Sequence, residues 1–252
     1  MTDFAEKYGP WAVVAGASEG VGSSVARLLG ERGMNVVLTA RRQAVLDEVA
    51  ATVKTETRTV AMDLSLPGAD AALAAATDDL EVGLLIYNAG ADPHASRFLD
   101  KPLAVWQELV GRNVNTVLGA CHHYGLRMAD RGHGGIVLVT SGAAWVGSDY
   151  LAAYGASKAF DLILGEALWA ELRPLGVDVL SMILGPTDTP AFRRILQGRD
   201  FPGIVSADDV ARQMLASLPE GPTWPPDASP FAGLSRRQAV ELTSQGSAFL
   251  GE

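Results

Sequence analysis

Cysteine is almost absent: Cys121 stands alone in 252 residues. A disulfide framework within the chain is therefore impossible, and a reducing compartment is the natural setting. Long apolar runs are absent as well. Glycine or charge interrupts each one well before the ~20 residues that a membrane span needs. Residues 1–10 include Asp3, Glu6 and Lys7 and hold no basic stretch leading into an apolar one. No secretory signal is expected, and a soluble cytoplasmic protein is. Positive charge is scarce: 20 Lys plus Arg against 29 Asp plus Glu leave a net charge of −9. Such a surface repels phosphate backbones, which excludes a general nucleic-acid binder. Histidine is rare too, and His122 and His123 are adjacent. Neighbours on a helix point about 100° apart and cannot share an ion, so no metal site is expected. The same logic makes Cys121 a small buried thiol rather than a nucleophile.

What the chain does have is 48% apolar residues, 19% charged residues and 27 glycines. That is enough apolar material for a large core and too little charge for disorder. Short, nearly continuous apolar runs at 11–15, 35–39, 58–62, 83–87, 135–140 and 177–184 read as strands covered on both faces. Longer helical stretches lie between them at 20–32, 43–53, 68–79, 102–131 and 152–173. Strand and helix in alternation imply right-handed crossovers. The predicted fold class is α/β, a single-domain Rossmann-type doubly wound parallel sheet with helices on both faces over residues 1–252. Pro219, Pro222, Pro225, Pro226 and Pro230 crowd the tail and exclude a regular helix there. Residues 235–250 then read as a final helix with Ser235 as its N-cap. The segment 219–252 is taken as an arm of the same domain.

The first predicted strand runs into Gly16-Ala17-Ser18-Glu19-Gly20-Val21-Gly22 and then a helix. Glycines at such a turn let the backbone bend tightly and approach a ligand. The helix start then offers N–H groups and a positive dipole end to a phosphate. An ordinary glycine-rich turn is the plainer alternative. The second strand ends in Thr39-Ala40-Arg41-Arg42, with no acid at the ribose position. Guanidinium groups there suit a 2′-phosphate, and solvation of Arg42 at the next helix start is the alternative. Asp63-Leu64 closes the third strand. Its carboxylate either accepts from an adenine amino group or caps the following turn.

Tyr154 and Lys158 sit four residues apart in a helical stretch, so phenol and ammonium share one face. A nearby ammonium favours the phenolate and makes the phenol a usable proton donor and acceptor. An amphipathic surface pair is the alternative. Ser141, at the end of the fifth strand, is placed to face the ligand crevice of such a sheet or to cap a turn.

In these residues the chain resembles the short-chain dehydrogenase/reductase family from about residue 11 to about 218. The resemblance rests on the loop 16–22, Asp63-Leu64, Asn88-Ala89-Gly90, Asn113, Ser141, Tyr154, Lys158 and Gly185-Pro186-Thr187-Asp188-Thr189. It implies Tyr154 as the acid/base, Ser141 as the holder of the substrate oxygen, and Lys158 as the anchor of the nicotinamide ribose that assists Tyr154. It implies Asn113 as the residue that kinks a long helix and holds a proton-relay water. Pro186, Thr187 and Thr189 would meet the nicotinamide end, and Asn88, Ala89 and Gly90 would steady the adenine-ribose side. The cofactor-binding set is Gly16, Ser18, Gly20, Val21, Gly22, Arg41, Arg42, Asp63, Leu64 and these residues, together with Tyr154 and Lys158.

Ala15 and Tyr87 depart from the family's usual Thr and Asn, which is expected to loosen the tie between the first and fourth strands. Gly185-Pro186 reverses the commoner order, as in steroid- and acyl-type reductases. Ser18 and Glu19 fill the place where many NADP enzymes carry a basic residue, so phosphate preference rests on Arg41, helped by Ser18. The expected activity is NADPH-linked reduction of an apolar ketone, steroid or 3-oxoacyl compound to an alcohol, or the reverse. An idle NADP-binding sensor and an NAD-linked alcohol dehydrogenase are the alternatives. Trp145, Val146 and Tyr150, then His94, Phe98, Phe192 and Trp224, are candidate pocket residues. Val105, Trp106, Leu109, Leu162, Leu164 and Trp169 are read as surplus apolar surface for a homodimer or homotetramer.

Overall fold

The computed structural model of the chain describes residues 3–92, 95–225, 231 and 233–247. His94, Pro226, Pro230 and residues 248–250 of the expected last helix lie outside them. Helix α1 spans Asp3–Tyr8, and then come β1 Trp11–Ala15, α2 Gly20–Glu31, β2 Asn35–Ala40, α3 Gln43–Ala50, β3 Thr57–Ala61, α4 Ala69–Ala75 and β4 Val82–Tyr87. Next are α5 Leu103–Val110, a π turn Gly111–Asn115, α6 Thr116–Arg131, β5 Gly134–Ser141, α7 Ala152–Leu172 and β6 Val177–Leu184. The remainder is β7 Thr187–Asp188, α8 Pro190–Leu196, β8 Val205–Ser206, α9 Ala207–Ser217, β9 Thr223–Trp224 and α10 Arg236–Ser247.

Seven strands form one parallel sheet in the order β3-β2-β1-β4-β5-β6-β9. The order reverses at β1, so the crevice between β1 and β4 opens at the carboxyl ends of the strands, where such sheets bind ligands. Side chains alternate across the strands. Ala12, Val14, Val36, Leu38, Leu84 and Ile86 meet Val25 and Leu29 of α2 and Val210 and Met214 of α9 on one face. Val13, Val37, Leu85 and Tyr87 meet Leu73, Val117, Cys121 and Tyr124 on the other. Each fully buried Val or Leu contributes ~1.5–3 kcal/mol, so the two layers fix the register that positions the loops.

The expected helix 102–131 is broken. Thr116 N–H reaches back to the Gly111 carbonyl, which opens the π turn around Asn113. The Pro-rich arm returns to the sheet: Ser181 N–H donates to Pro222 O at 2.7 Å, and Thr223 and Trp224 pair with Ser181 and Met182 of β6. Ser235 starts α10 as a reciprocal cap with Gln238. Its N–H donates to Gln238 Oε1 at 3.0 Å, and its Oγ accepts from Gln238 N–H at 3.3 Å. Cys121 is buried, and burial pushes its thiol up to about 12. No described helix is long and apolar enough to cross a membrane.

Two sequence expectations are corrected. Trp106, Leu109 and Leu162 are buried within the chain, and Leu164 and Trp169 pack on the second core layer. The exposed apolar residues on α5–α7 are instead Leu103, Val110, Leu118, Leu126 and Ile163. The tie between β1 and β4 is also not loosened. All five β1 residues pair with β4, Asn88 N–H donates to Ala15 O at 2.9 Å, and Asn88 Nδ2 donates to Gly16 O at 3.0 Å. Tyr87 runs the other way, and its hydroxyl donates to the Arg112 carbonyl of the π turn at 2.7 Å.

Candidate active site

The glycine loop sits at the crevice. Gly16 has φ +83° and Gly20 φ +59°. A Cβ at Gly16 would stand 2.7 Å from Ala89 N, and one at Gly22 would stand 2.1 Å from Gly16 O. Only glycine fits either place. The start of α2 has no side-chain cap, so its first N–H groups are left for a ligand. Val21 is buried beneath the loop, and Ser18 is half-buried on it. Opposite, Thr189 caps α8 by accepting from Phe192 N–H at 3.1 Å, and its methyl group lies against Gly20. Thr187 donates to Gly185 O at 3.0 Å, and Pro186 O accepts from Val205 N–H at 3.0 Å. The segment 185–189 is thereby held across from the glycine loop.

Arg41 is exposed and carries no ion pair among the described residues. Arg42 is drawn to Glu19 at 3.4 Å, and the same carboxylate takes Arg194 of α8 at 2.5 Å. Asp63 Oδ1 accepts from Ser65 N–H at 2.9 Å and from Ser65 Oγ at 2.7 Å, which is the turn-capping reading. Burial alone would raise its carboxyl, but the Ser65 bonds and the nearby Arg41 and Arg112 hold it below the usual carboxylate range. Leu64 is buried, and its carbonyl accepts from Thr116 Oγ1 at 2.8 Å.

Strand β5 fastens onto α7 at successive points. Val139 O accepts from Lys158 Nζ at 2.9 Å, and Thr140 Oγ1 donates to Lys158 O at 2.7 Å. Ala143 O lies 3.0 Å from where a Gly155 Cβ would be. That close approach, which a larger residue would crowd, lays the turn after Ser141 against the helix turn bearing Tyr154. Ser141 Oγ accepts from Ala143 N–H at 3.2 Å, so it caps that turn and keeps its own proton to donate. Tyr154 is half-buried near the start of α7. Its main-chain carbonyl accepts from Ser157 Oγ at 2.8 Å. Ser157 Oγ in turn accepts from Asn113 Nδ2 at 3.0 Å, and Asn113 Nδ2 also donates to Gly90 O at 3.1 Å. A Cβ at Gly90 would stand 2.5 Å from Lys158 Nζ. Asn113 thus ties Gly90 to the main chain of Tyr154 through Ser157, and Gly90 packs closely against Lys158 Nζ.

Three participants escaped the sequence reading. Asp161 bonds Lys158 Nζ at 2.9 Å inside the protein. Arg112 donates to Asn113 Oδ1 at 3.1 Å and to Ala91 O at 2.9 Å. Arg194 reaches the glycine loop from α8. Asp161 follows Lys158 at i, i+3, so the same one-turn reasoning that paired Tyr154 with Lys158 at i, i+4 could have found it. The other two depend on loop geometry and left no pattern.

The pocket candidates divide. Val146 is buried, and Trp145 is half-buried with its carbonyl taken by Arg236 of α10 at 3.0 Å. Tyr150 lies under the Arg97 guanidinium at 5.3 Å. Phe192 meets Phe201 edge-on at 5.6 Å. Phe98 stacks on Trp106 but stays about half exposed, and Trp224 packs on the first core layer.

A family model described as short chain dehydrogenase matches residues 10–200. The chain belongs to the short-chain dehydrogenase family. Its members are oxidoreductases of hydroxyl and oxo groups that use a nicotinamide cofactor. The chain is 36% identical over 197 residues to a 7β-hydroxysteroid dehydrogenase of Collinsella aerofaciens, covering 77% of this chain and 74% of that one. A solved structure described for 7β-hydroxysteroid dehydrogenase stereoselectivity superposes with a TM-score of 0.86 at 28% identity, covering 96% and 99% of the two chains. A short-chain dehydrogenase from Sphingobium yanoikuyae in complex with NADPH superposes with a TM-score of 0.77 at 27% identity over 94% of each chain.

Proposed function

We propose that this short-chain dehydrogenase is NADP(H)-dependent and interconverts an oxo and a hydroxyl group on a hydroxysteroid-like substrate. The observation that carries the reading is the fastening of β5 onto α7, which supports a shared site for Ser141, Tyr154 and Lys158 at the carboxyl ends of the strands. The uncapped start of α2 and the glycine cradle fit a pyrophosphate, and the unpaired Arg41 fits a 2′-phosphate. Lys158 and Asn88-Ala89-Gly90 would hold the ribose side, and Pro186, Thr187 and Thr189 the nicotinamide end. When bound, the nicotinamide supplies or accepts the hydride. Ser141 donates to the substrate oxygen and Tyr154 transfers its phenolic proton to it, so the growing negative charge is met as it forms. Lys158 steadies the resulting phenolate, and Asn113 keeps Gly90 and Ser157 in place around it.

The steroid-like substrate is supported by the 7β-hydroxysteroid dehydrogenase relative, by the Gly185-Pro186 order and by half-buried Trp145 and Tyr150 beside Ser141. NADP is supported by Arg41 and by the NADPH complex of a structural neighbour. Two or more copies are expected to associate through Leu103, Val110, Leu118, Leu126 and Ile163.

The test follows NADPH absorbance with a 7-oxosteroid, a 3-oxoacyl thioester and an aromatic ketone, for the unsubstituted protein and Tyr154→Phe. Turnover of the 7-oxosteroid is expected, with loss of about 10²-fold or more in the variant and cofactor binding retained. NADPH binding without turnover of any of the three would favour the idle sensor.

A further inference from the structure

Lys158 and Asp161 form an ion pair that water does not reach. Their side chains are 4% and 3% exposed, and Nζ stands 2.9 Å from Asp161 Oδ2. The ammonium spends a second donor on Val139 O at 2.9 Å. An ammonium has three donors, so one remains for the cofactor crevice. The other Asp161 oxygen, Oδ1, is buried with no hydrogen-bond partner among the described residues. A carboxylate accepted at that cost must be compensated by its one charged neighbour.

We propose that Asp161 is a positioning residue: the buried counter-ion that aims Lys158 and sets the pH range in which Tyr154 and Lys158 work. The inference rests on the reading above, in which Lys158 serves Tyr154.

The groups around Asp161 leave it no other task. On its own helix it meets Lys158, the one charge that acts on it. From β4 it faces the Tyr87 hydroxyl, and from α6 the Cys121 thiol. Burial pushes both of these up, so both stay neutral, and Asp161 adds to that push. From β5, the Val139 carbonyl accepts from the same Lys158 Nζ. Asp161 therefore acts on the site in two ways. By charge alone, a carboxylate paired with Lys158 at 2.9 Å favours the ammonium form of the lysine and disfavours a phenolate nearby. Both effects have the same sign. Removing the negative charge makes lysine and phenol each release their protons at lower pH.

The test compares the unsubstituted protein with Asp161→Asn and Asp161→Glu. Phenol ionisation at position 154 is read from ultraviolet absorbance, as the difference between each protein and its Tyr154→Phe counterpart. In Asp161→Asn it is expected to begin about one pH unit or more lower, and in Asp161→Glu near the original position. The pH profile of kcat/KM for carbonyl reduction should lose its alkaline limb by the same interval. Identical ionisation in Asp161→Asn overturns the proposal. An absorbance shift in a protein that turns over no carbonyl keeps the pairing and removes the enzymatic reading. Turnover with neither shift does the reverse. Should Asp161→Asn fail to fold, the double variant Lys158→Met/Asp161→Asn decides. Recovery of the thermal midpoint shows that Asp161 is needed only as the partner of Lys158, and no recovery shows an independent structural role and overturns the proposal.

Discussion

Thr140 donates its hydroxyl hydrogen to the main-chain carbonyl of Lys158 at 2.7 Å, and both residues are buried. The bond joins the strand that ends in Ser141 to the helix that begins near Tyr154. Thr140→Val keeps the shape and removes the donor. It is expected to cost about 1–2 kcal/mol of stability and to lower kcat more than cofactor affinity. Urea unfolding and steady-state kinetics on the same preparation check both.

Under the proposed NADP(H) dependence, cofactor choice would turn on Arg41, with Ala40 at the place where an acid would accept from ribose hydroxyls. Arg42 is engaged with Glu19. Arg41→Ala is expected to weaken NADPH roughly ten- to a hundredfold and to leave NADH nearly unchanged. Ala40→Asp with Arg41→Ala should reverse the preference, because the new carboxylate repels the phosphate. Side-by-side titration of the two reduced cofactors decides. Equal affinities in the unsubstituted protein would mean that Arg41 takes no part.

The pairing of α2 with α9 predicts a pH effect. Ser24 and Arg27 hold the Asp208 carboxyl below the usual range, with Arg27 Nη2 at 2.6 Å. A depressed carboxyl contributes stability that is present above its unfolded value of ~3.9 and is lost as pH falls through the folded one. Asp208→Asn should therefore be less stable than the unsubstituted protein at pH 7, and the gap should close in acid. Unfolding curves at the two pH values measure the gap.

Helix α10 rests on the loop that follows Ser141. Arg236 donates to Trp145 O, Thr243 Oγ1 donates to Gly147 O at 3.0 Å, and Asp149 N–H donates to Ser244 Oγ at 3.1 Å. Deletion from residue 235 onward is expected to raise the KM for the carbonyl substrate about tenfold, or ~1.4 kcal/mol, with NADPH affinity little changed. An unchanged KM would mean that the loop holds its shape unaided.

The sheet order and the crevice were legible because alternating apolar runs carry their own period, and because Gly16–Gly22, Ser141, Tyr154 and Lys158 sit at fixed places relative to those runs. The surface of α5–α7 was not legible. Trp106 and Leu162 read as surplus apolar surface because a long helix shows its pattern but not which neighbours cover each face. Asp63 left two roles open, and its bonds from Ser65 show the capping one. Asp161 was passed over because a charged residue inside a helix usually faces water. Only the packing of β5 against α7 reveals that this one does not.

The return of the arm to the sheet bears on how the chain folds. Strand β9 adds Thr223 and Trp224 to β6 in parallel, after α8 and α9 have intervened. Until residue 224 has left the ribosome, the outer edge of β6 therefore has no partner from its own chain, and Trp224 is missing from the first core layer. Parallel pairings between distant segments form late, and open strand edges attract other chains. A nascent chain stalled before Pro222 should be far more prone to aggregation and proteolysis than one stalled well past Trp224, even though every residue of the crevice has by then been made.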